Sequence, residues 1–321
     1  MIEITEKDIV TFEKDGVIKI KDAIPVNRLE ELDSAITSYL THRKLLNKLM
    51  FGDSLFFSKP NVWKSDPYFQ QFVQQPMFID IAVKLLRSSR INLLQDIIFV
   101  KSASSKKKFG WHHDLIYAPI QGKMVISFWM ATENVTLHNG GLQFIKGSHR
   151  CTENFGPPPN LTPISKLLPQ YWRTGKISNL SAGGAEDSDI SSKDDVVSFD
   201  IERGDLLAFH GEIQHRSGPN WAEKIDRKGY TIRYAGDDIL YHPHSDTGIA
   251  YQFWHSKLNV GEKMRGPLFP LLYESGEYLE LKSTGLEKGR MWRVLHNKIL
   301  TLRSKLTDDS SQNQKTRWDR Q

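Results

Sequence analysis

The stretch "INLLQDIIFVK" at residues 91–101 decides the fold, because it is apolar, rich in branched side chains and flanked by small polar residues. Such a run is typical of a buried β-strand. The segments before it are helical in pattern: "VNRLEELDSAITSYL" (26–40) has apolar residues at helical spacing, and "PMFIDIAVKLLRSS" (76–89) is a second helical stretch. A shorter helix that ends at Gly16, followed by an alternating strand, is predicted for residues 5–21.

After this strand the sequence becomes a series of short strand-like runs separated by Gly, Pro, Asn and Asp. The runs are "GKMVISFWMAT" (122–132), "GGLQFI" (140–145), "DVVSFDI" (195–201), "GDLLAFH" (204–210) and "KGYTIRYAGD" (228–237). Helices followed by many short strands predict a mainly β protein, with an all-β core and a helical N-terminal cover. No break in composition separates two domains, so we expect a single domain. The predicted parts are a domain over 1–305, made of a helical cover (1–90), a β core (about 91–240) and a C-terminal extension (241–305), and a disordered tail (306–321).

The composition is that of a soluble globular protein. The chain has 321 residues, of which 39% are hydrophobic and 25% charged, and its net charge of +5 comes from 43 basic and 38 acidic residues. This mild excess, without a basic stripe, argues against a nucleic-acid partner. No apolar run approaches the roughly 18 residues that a membrane span needs. The single cysteine, Cys151, excludes an internal disulfide, and the N-terminus lacks a signal-peptide core, so we expect a cytoplasmic protein.

The stretch "FGWHHDLIYAP" (109–119) places two histidines and an aspartate side by side in apolar surroundings. On a strand, residues two apart point to the same face. His112 and Asp114 can therefore converge on one ion, whereas His113 points away. An imidazole and a carboxylate form a mixed ligand set that suits Fe(II), Mn or Zn. The motif therefore predicts two ligands of a metal site.

Two ligands do not hold a metal specifically, so a third is expected from another segment. The stretch "GDLLAFHGEIQHRSGPN" (204–220) offers His210, directly after a short buried strand, and His215, at the start of a turn. His210 fits equally well as a hydrogen-bonded core residue. His242 and His244 form a further pair around a proline, in what has the composition of a surface loop. The residues alone leave the third ligand open among these histidines.

Four blocks in this order resemble the phytanoyl-CoA dioxygenase family. The blocks are "WHHD" (111–114) with Tyr117 and Pro119, "NGGLQFIKGSH" (139–149), "GDLLAFHGEIQHRSGPN" (204–220) and "RKGYTIRYAGDD" (227–238). The resemblance extends from "FEKDGVIKI" (12–20) to about residue 240. It implies a double-stranded β-helix, a jelly-roll or cupin-like core with N-terminal and flanking helices. It also implies Fe(II), 2-oxoglutarate and O2 as cofactor and cosubstrates, with ascorbate as reductant.

Carried over residue by residue, the resemblance assigns the metal to His112, Asp114 and His215, rather than to His210. His113 then stands beside the metal and is expected to form hydrogen bonds, or alternatively to contact 2-oxoglutarate or the substrate. Two histidines and one carboxylate on one face of the iron leave positions open for a 2-oxo acid and for O2.

The C5 carboxylate of 2-oxoglutarate needs a cation, and a guanidinium suits it because two parallel N–H groups meet two carboxylate oxygens. The family arginine matches Arg227 if one residue is inserted after His215. Arg233 lies on the same strand face and is the alternative. Each arginine could instead pair with Asp237 or Asp238.

Four further residues are expected to line the cosubstrate pocket. By resemblance, Ser217 and Trp129 contact 2-oxoglutarate. Ser217 fits equally as an ordinary turn hydroxyl, and Trp129 as an aromatic residue of the core. Gln95 and Lys101 share a face of the strand at 91–101, which lines the pocket in this family.

The implied reaction is hydroxylation of an unactivated C–H bond, with release of succinate and CO2. The expected substrate is a small molecule, such as a natural-product, sugar or amino-acid-like intermediate. The expected oligomeric state is a monomer or homodimer. Halogenases of this kind have Gly or Ala in place of the metal-binding carboxylate. Because Asp114 is present here, hydroxylation is favoured over halogenation. Desaturation, epoxidation or cyclisation on the same scaffold, a non-catalytic cupin-like binding protein and a Zn or Mn hydrolase remain as alternatives.

Overall fold

The computed structural model of the chain describes residues 2–42, 56–150, 195–242 and 258–281. Cys151, His244 and the predicted tail at 306–321 lie outside these ranges, as does much of the predicted C-terminal extension.

Four α-helices lie in the described residues: α1 (Glu6–Asp15), α2 (Val26–His42), α3 (Pro67–Phe72) and α4 (Pro76–Leu86). The side chain of Thr5 caps α1 by accepting a hydrogen bond from the backbone of Asp8. α1 ends at Gly16, whose φ of 80° is left-handed, so the predicted helix end is confirmed. α4 stops short of its predicted end because Arg87 takes a left-handed conformation, with φ 49°. None of the described helices is long and apolar enough to cross a bilayer.

The strands form two main antiparallel sheets. In chain order they are β1 (Val17–Ile20), β2 (Phe56–Pro60), β3 (Arg90–Lys101), β4 (Phe109–His112), β5 (Ile120–Gln121), β6 (Val125–Ala131), β7 (Leu142–Ile145), β8 (Val196–Ser198), β9 (Leu206–His210), β10 (His215–Ser217), β11 (Arg227–Ala235), β12 (Leu240–Tyr241), β13 (Leu271–Glu274) and β14 (Glu277–Tyr278). The large sheet is 8-stranded in the order β1-β9-β6-β11-β3-β13-β14, with β2 also on β3. The small sheet is 4-stranded in the order β4-β10-β7-β8. Neighbouring strands that are far apart in sequence are typical of a jelly roll.

The large sheet separates two apolar layers. Its outer face, with Tyr230 and Ile232 of β11, packs with Phe78 of α4 in one hydrophobic cluster that includes the helices. Its inner face packs Trp129 of β6 against Phe144 of the small sheet in a second cluster. The helical layer on one side and the second sheet on the other confirm the mainly β architecture with a helical cover.

The sheet extends beyond the segment predicted to form the β core. β1 and β2 belong to the part predicted as helical cover, yet β1 pairs with β9 and β2 pairs with β3. β13, from the predicted C-terminal extension, also pairs with β3. Unpaired strand edges expose backbone N–H and C=O groups, and these additional strands satisfy them.

Candidate active site

The two predicted metal-binding histidines lie on neighbouring strands of the small sheet. β4 ends at His112 and β10 begins at His215, and the two residues pair across the antiparallel strands. Their ring centroids are 4.4 Å apart. Asp114, however, does not continue the strand: it opens a 3-10 turn, and its backbone N–H donates to Gly211 O at 3.0 Å. The alternation of side chains along a strand therefore correctly predicted that His112 and Asp114 converge. It was wrong in placing Asp114 on the strand, since this residue lies in a turn.

The three side chains bring their donor atoms to one point. One ring nitrogen from each of His112 and His215 and one carboxylate oxygen of Asp114 lie within 4.8 Å of one another. Nδ1 of His112 donates to Gly110 O at 2.8 Å, and Nδ1 of His215 donates to Ile213 O at 3.0 Å. Each Nε2 then carries the lone pair that a metal needs. Two nitrogens and one carboxylate oxygen form a donor set that fits a divalent transition metal.

The ionisation states also suit a metal. Burial lowers the pKa of His112 and brings that of His215 to about 4, so both imidazoles are neutral at neutral pH. Burial would raise the pKa of Asp114, but Arg233, His215 and His112 outweigh it and hold the pKa at about 2. Asp114 is therefore a carboxylate at neutral pH.

Arg233 binds the metal-site carboxylate. Its Nε donates to Asp114 Oδ2 at 2.9 Å, and its Nη2 donates to Oδ1 at 2.5 Å. Its Nη1 donates to Gln95 Oε1 at 2.6 Å. Asp237 and Asp238 were the alternative partners for this arginine, and the partner found is Asp114. Gln95, predicted to contact the cosubstrate, lies against Arg233 instead.

Arg227 is a second buried arginine on the inner face of β11, with a different environment. It is 3% exposed, and its guanidinium carbon lies 5.7 Å from the ring centroid of Trp129. Its Nε has no hydrogen-bond partner among the described residues. Burial lowers the pKa of Arg227 to about 10, with Glu133 opposing the shift, so the group is charged at neutral pH. A buried guanidinium with an unused donor is a candidate anion site.

Lys101 faces Arg227 directly across β3 and β11. It is 0% exposed, and its Nζ donates to Ser217 Oγ at 2.8 Å. Nζ also donates to the carbonyl of Gly218 by a short hydrogen bond. Burial, with the charges of Arg227 and Lys107, lowers the pKa of Lys101 to about 6. Four of the five predicted cosubstrate residues (Lys101, Trp129, Ser217 and Arg227) therefore lie together. The buried charge of Arg227, with an amine facing it that an anion would protonate, favours a bound anion in this low-dielectric site.

The sequence interpretation missed Gly229, two residues after Arg227 on the same strand face. A Cβ at this position would lie 3.1 Å from Arg227 Nη1 and 3.0 Å from Trp129 Nε1. The missing side chain therefore makes room for the guanidinium. A glycine inside a strand often marks such a close approach, and this signal could have identified the position.

The other histidines in the part of the chain that the structure describes do not join the metal group. His113 is 5% exposed, and neither ring nitrogen has a hydrogen-bond partner among the described residues, so both expectations for it stay predictions. His210 ends β9, where its Nδ1 accepts from the backbone of Glu212 at 3.1 Å and its ring lies 4.9 Å from that of His149. These contacts fit the structural interpretation of His210. His242 is exposed.

Comparison with known sequences identifies the family. The sequence model of the phytanoyl-CoA dioxygenase (PhyH) family matches residues 12–229. A probable phytanoyl-CoA dioxygenase of Caenorhabditis elegans is 24% identical over 250 residues, covering 71% of this chain and 74% of that protein. Phytanoyl-CoA dioxygenase domain-containing protein 1 of Rattus norvegicus is 27% identical over 172 residues, covering 52% of each chain. This chain thus spans about three quarters of the worm protein and about half of the rat protein.

Solved structures share the fold at low sequence identity. The non-heme alpha ketoglutarate dependent carbocyclase SnoK from nogalamycin biosynthesis superposes with a TM-score of 0.62 at 16% identity, covering 84% of this chain and 96% of SnoK. EctD from S. alaskensis gives a TM-score of 0.60 at 17% identity, covering 83% of this chain and 89% of EctD. These similarities confirm the jelly-roll core, and the family match confirms the resemblance seen in the sequence. The chain belongs to the phytanoyl-CoA dioxygenase (PhyH) family.

Proposed function

We propose that this protein is a non-haem Fe(II)- and 2-oxoglutarate-dependent oxygenase that hydroxylates an unactivated C–H bond of a small molecule, with release of succinate and CO2. The observation that carries the proposal is the meeting of His112, Asp114 and His215 in the same β core as the buried pair Lys101 and Arg227. Among the solved structures that share the fold, the one of EctD holds 2-oxoglutarate and 5-hydroxyectoine, and one of the epimerase SnoN holds Fe3+, alpha ketoglutarate and nogalamycin RO.

In this scheme His112, Asp114 and His215 hold the metal. Their neutral imidazoles and ionised carboxylate match its needs without any proton being removed at neutral pH. When bound, Fe(II) and the 2-oxo acid together supply the oxidant that breaks the C–H bond. The chain contributes the orientation of the three ligands, which the two carbonyl hydrogen bonds of the histidines fix.

The C5 carboxylate of 2-oxoglutarate binds to Arg227 in this scheme, with Lys101 and Ser217 as further donors and Trp129 beside it. Arg227 is the better of the two arginines because Arg233 already uses its donors on Asp114 and Gln95. Burial strengthens such a charge-assisted contact, since no water competes for the carboxylate. Gln95 acts in this scheme through Arg233.

The substrate of the proposed reaction is a natural-product, sugar or amino-acid-like intermediate, and ascorbate keeps the iron ferrous. The proposal takes the protein to be a cytoplasmic monomer or homodimer. Desaturation or cyclisation would begin with the same C–H cleavage but would add no oxygen atom to the product. The mass of the product therefore separates these reactions.

The test is an assay of purified protein with Fe(II), 2-oxoglutarate and ascorbate, read as succinate formed with and without candidate substrates. We expect uncoupled succinate formation that His112→Ala or Asp114→Ala abolishes while the circular dichroism spectrum is retained. Arg227→Ala should raise the 2-oxoglutarate requirement by about 10- to 100-fold, because a buried carboxylate loses a charged partner worth roughly 1.5–3 kcal/mol.

His210→Ala serves as the matched control, since His210 is a half-buried histidine at the end of β9 that does not belong to the metal-ligand group; it should leave Fe(II) affinity unchanged. A substrate screen that finds a product heavier by one oxygen atom would separate hydroxylation from desaturation and cyclisation, and a saturated substrate would exclude epoxidation. Absence of both Fe(II) binding and succinate formation in the wild-type protein would contradict the proposal.

A further inference from the structure

The hydrogen bonds of Asp114 distinguish its two carboxylate oxygens. Oδ2 accepts from Arg233 Nε at 2.9 Å and from Ser127 Oγ at 2.8 Å. Oδ1 accepts from Arg233 Nη2 at 2.5 Å and lies 3.7 Å from His215 Nε2. A carboxylate oxygen has about two lone pairs to offer. Both are used on Oδ2, whereas one is left on Oδ1, the oxygen that faces the histidine.

We propose that Arg233 is a positioning residue that makes Asp114 a metal ligand through Oδ1 alone. This inference rests on the proposed function. A metal held by two histidines and one carboxylate oxygen would keep three positions of an octahedral set open for a 2-oxo acid and O2. A carboxylate that chelated through both oxygens would occupy one of these positions. Arg233 thus protects the coordination site that O2 needs.

The strands hold this arrangement in register. Arg233 of β11 pairs directly with Gln95 of β3 on one side and with Ser127 of β6 on the other. Gln95 Oε1 accepts from Arg233 Nη1 at 2.6 Å, which fixes the plane of the guanidinium. Gln95, Arg233 and Ser127 therefore form a polar row across three neighbouring strands, and all three are buried. A row built on the centre of the sheet positions Asp114 more rigidly than a loop would.

The experiment counts water molecules on bound Mn(II), which suits the same donor set and whose exchangeable waters are read from water-proton relaxation. Arg233→Leu removes the contacts to both oxygens, and Arg233→Lys keeps the charge but cannot bind both oxygens in parallel. We expect both variants to lose about one exchangeable water relative to the wild type, because Oδ2 becomes free to chelate. Arg227→Leu is the matched control: it removes a buried arginine from the same strand face and should leave the water count unchanged.

Each outcome decides the inference. A water count equal to the wild type in both Arg233 variants would overturn it, as would a wild-type count in Arg233→Lys alone, since charge and not geometry would then matter. Loss of Mn(II) binding in both folded variants would also overturn it, because Arg233 would then be required for binding rather than for denticity. A wild-type protein that binds neither Mn(II) nor Fe(II) would remove the proposed function itself, whereas failure in the variants alone leaves that function intact.

Discussion

At the scale of single residues, the position of Arg227 depends on the absence of a side chain at Gly229. Gly229 has no Cβ, and a Cβ there would come within 3.1 Å of Arg227 Nη1 and 3.0 Å of Trp129 Nε1. The buried Nε of Arg227 remains available for an anion in this position. The absence of a side chain at Gly229 thus leaves room for the arginine.

We predict that Gly229→Ala weakens 2-oxoglutarate binding by roughly 10-fold, about 1.4 kcal/mol, because the new methyl group displaces the guanidinium. Mn(II) affinity should be unchanged, since no metal ligand moves. Isothermal titration of 2-oxoglutarate into the Mn(II)-loaded protein measures the first quantity, and titration of Mn(II) into the metal-free protein measures the second. Equal 2-oxoglutarate affinity in wild type and variant would show that Gly229 does not determine the position of Arg227.

At the scale of elements, β3 and β11 place Lys101 and Arg227 opposite each other with their side chains on the inner face. The pKa of Lys101 is lowered to about 6 by burial and by neighbouring positive charge. Above pH 6 the lysine is therefore mainly neutral when no anion is bound. A bound carboxylate would restore its charge, so anion binding and protonation of Lys101 are linked.

We predict that 2-oxoglutarate binding at pH 7.5 takes up a proton. Because the charged form of Lys101 binds the anion, affinity should fall as the pH rises above about 6. Titration calorimetry in two buffers of different ionisation enthalpy measures the uptake, and Lys101→Met should abolish it. Identical binding enthalpies in both buffers for the wild-type protein would contradict the linkage.

The same two strands show what a single sequence can and cannot predict about the site. Strand periodicity predicts that Gln95 and Lys101 share a face, and likewise Arg227 and Arg233, and the structure agrees. Periodicity does not reveal which strands become neighbours. The contact between Arg233 and Asp114 joins positions far apart in the chain and depends on the turn after His112, so local pattern could not predict it.

At the scale of the whole molecule, a buried carboxyl group joins the helical layer to the large sheet. Asp96 of β3 is 0% exposed, and its Oδ2 accepts from the hydroxyl of Tyr230 at 2.6 Å and from the backbone N–H of Trp63 at 3.0 Å. Its Oδ1 has no partner among the described residues. Burial raises the pKa of Asp96 to about 7, and the two hydrogen bonds only partly oppose this shift.

We predict that Asp96 makes the protein less stable as the pH rises from about 4 to about 7. In this range the unfolded chain releases the proton while the folded protein keeps it, so the raised pKa stabilises the fold only at lower pH. Asp96→Asn retains the shape and the acceptor, and it should remove this part of the pH dependence, which amounts to a few kcal/mol. Urea unfolding at several pH values measures it. Parallel pH profiles for the two proteins would contradict the prediction.

The overall architecture was easier to predict than its borders. Helical and strand patterns gave the order of helices and strands, and the four family-like blocks predicted the jelly roll. The sequence did not predict that β1, inside the supposed helical cover, belongs to the large sheet. A run of four residues such as "VIKI" (17–20) forms a strand in many contexts, and only the distant strand β9 decides where it pairs.

That pairing has a practical consequence. β1 (Val17–Ile20) pairs residue by residue with Phe209, Ala208, Leu207 and Leu206. It therefore satisfies the backbone hydrogen bonds along one edge of β9. A version shortened past position 20 would leave the apolar strand β9 with unpaired backbone donors and acceptors at the edge of the large sheet, where strands from other copies could pair with it. Aggregation of the shortened protein, rather than loss of its catalytic groups, would then account for a failed preparation.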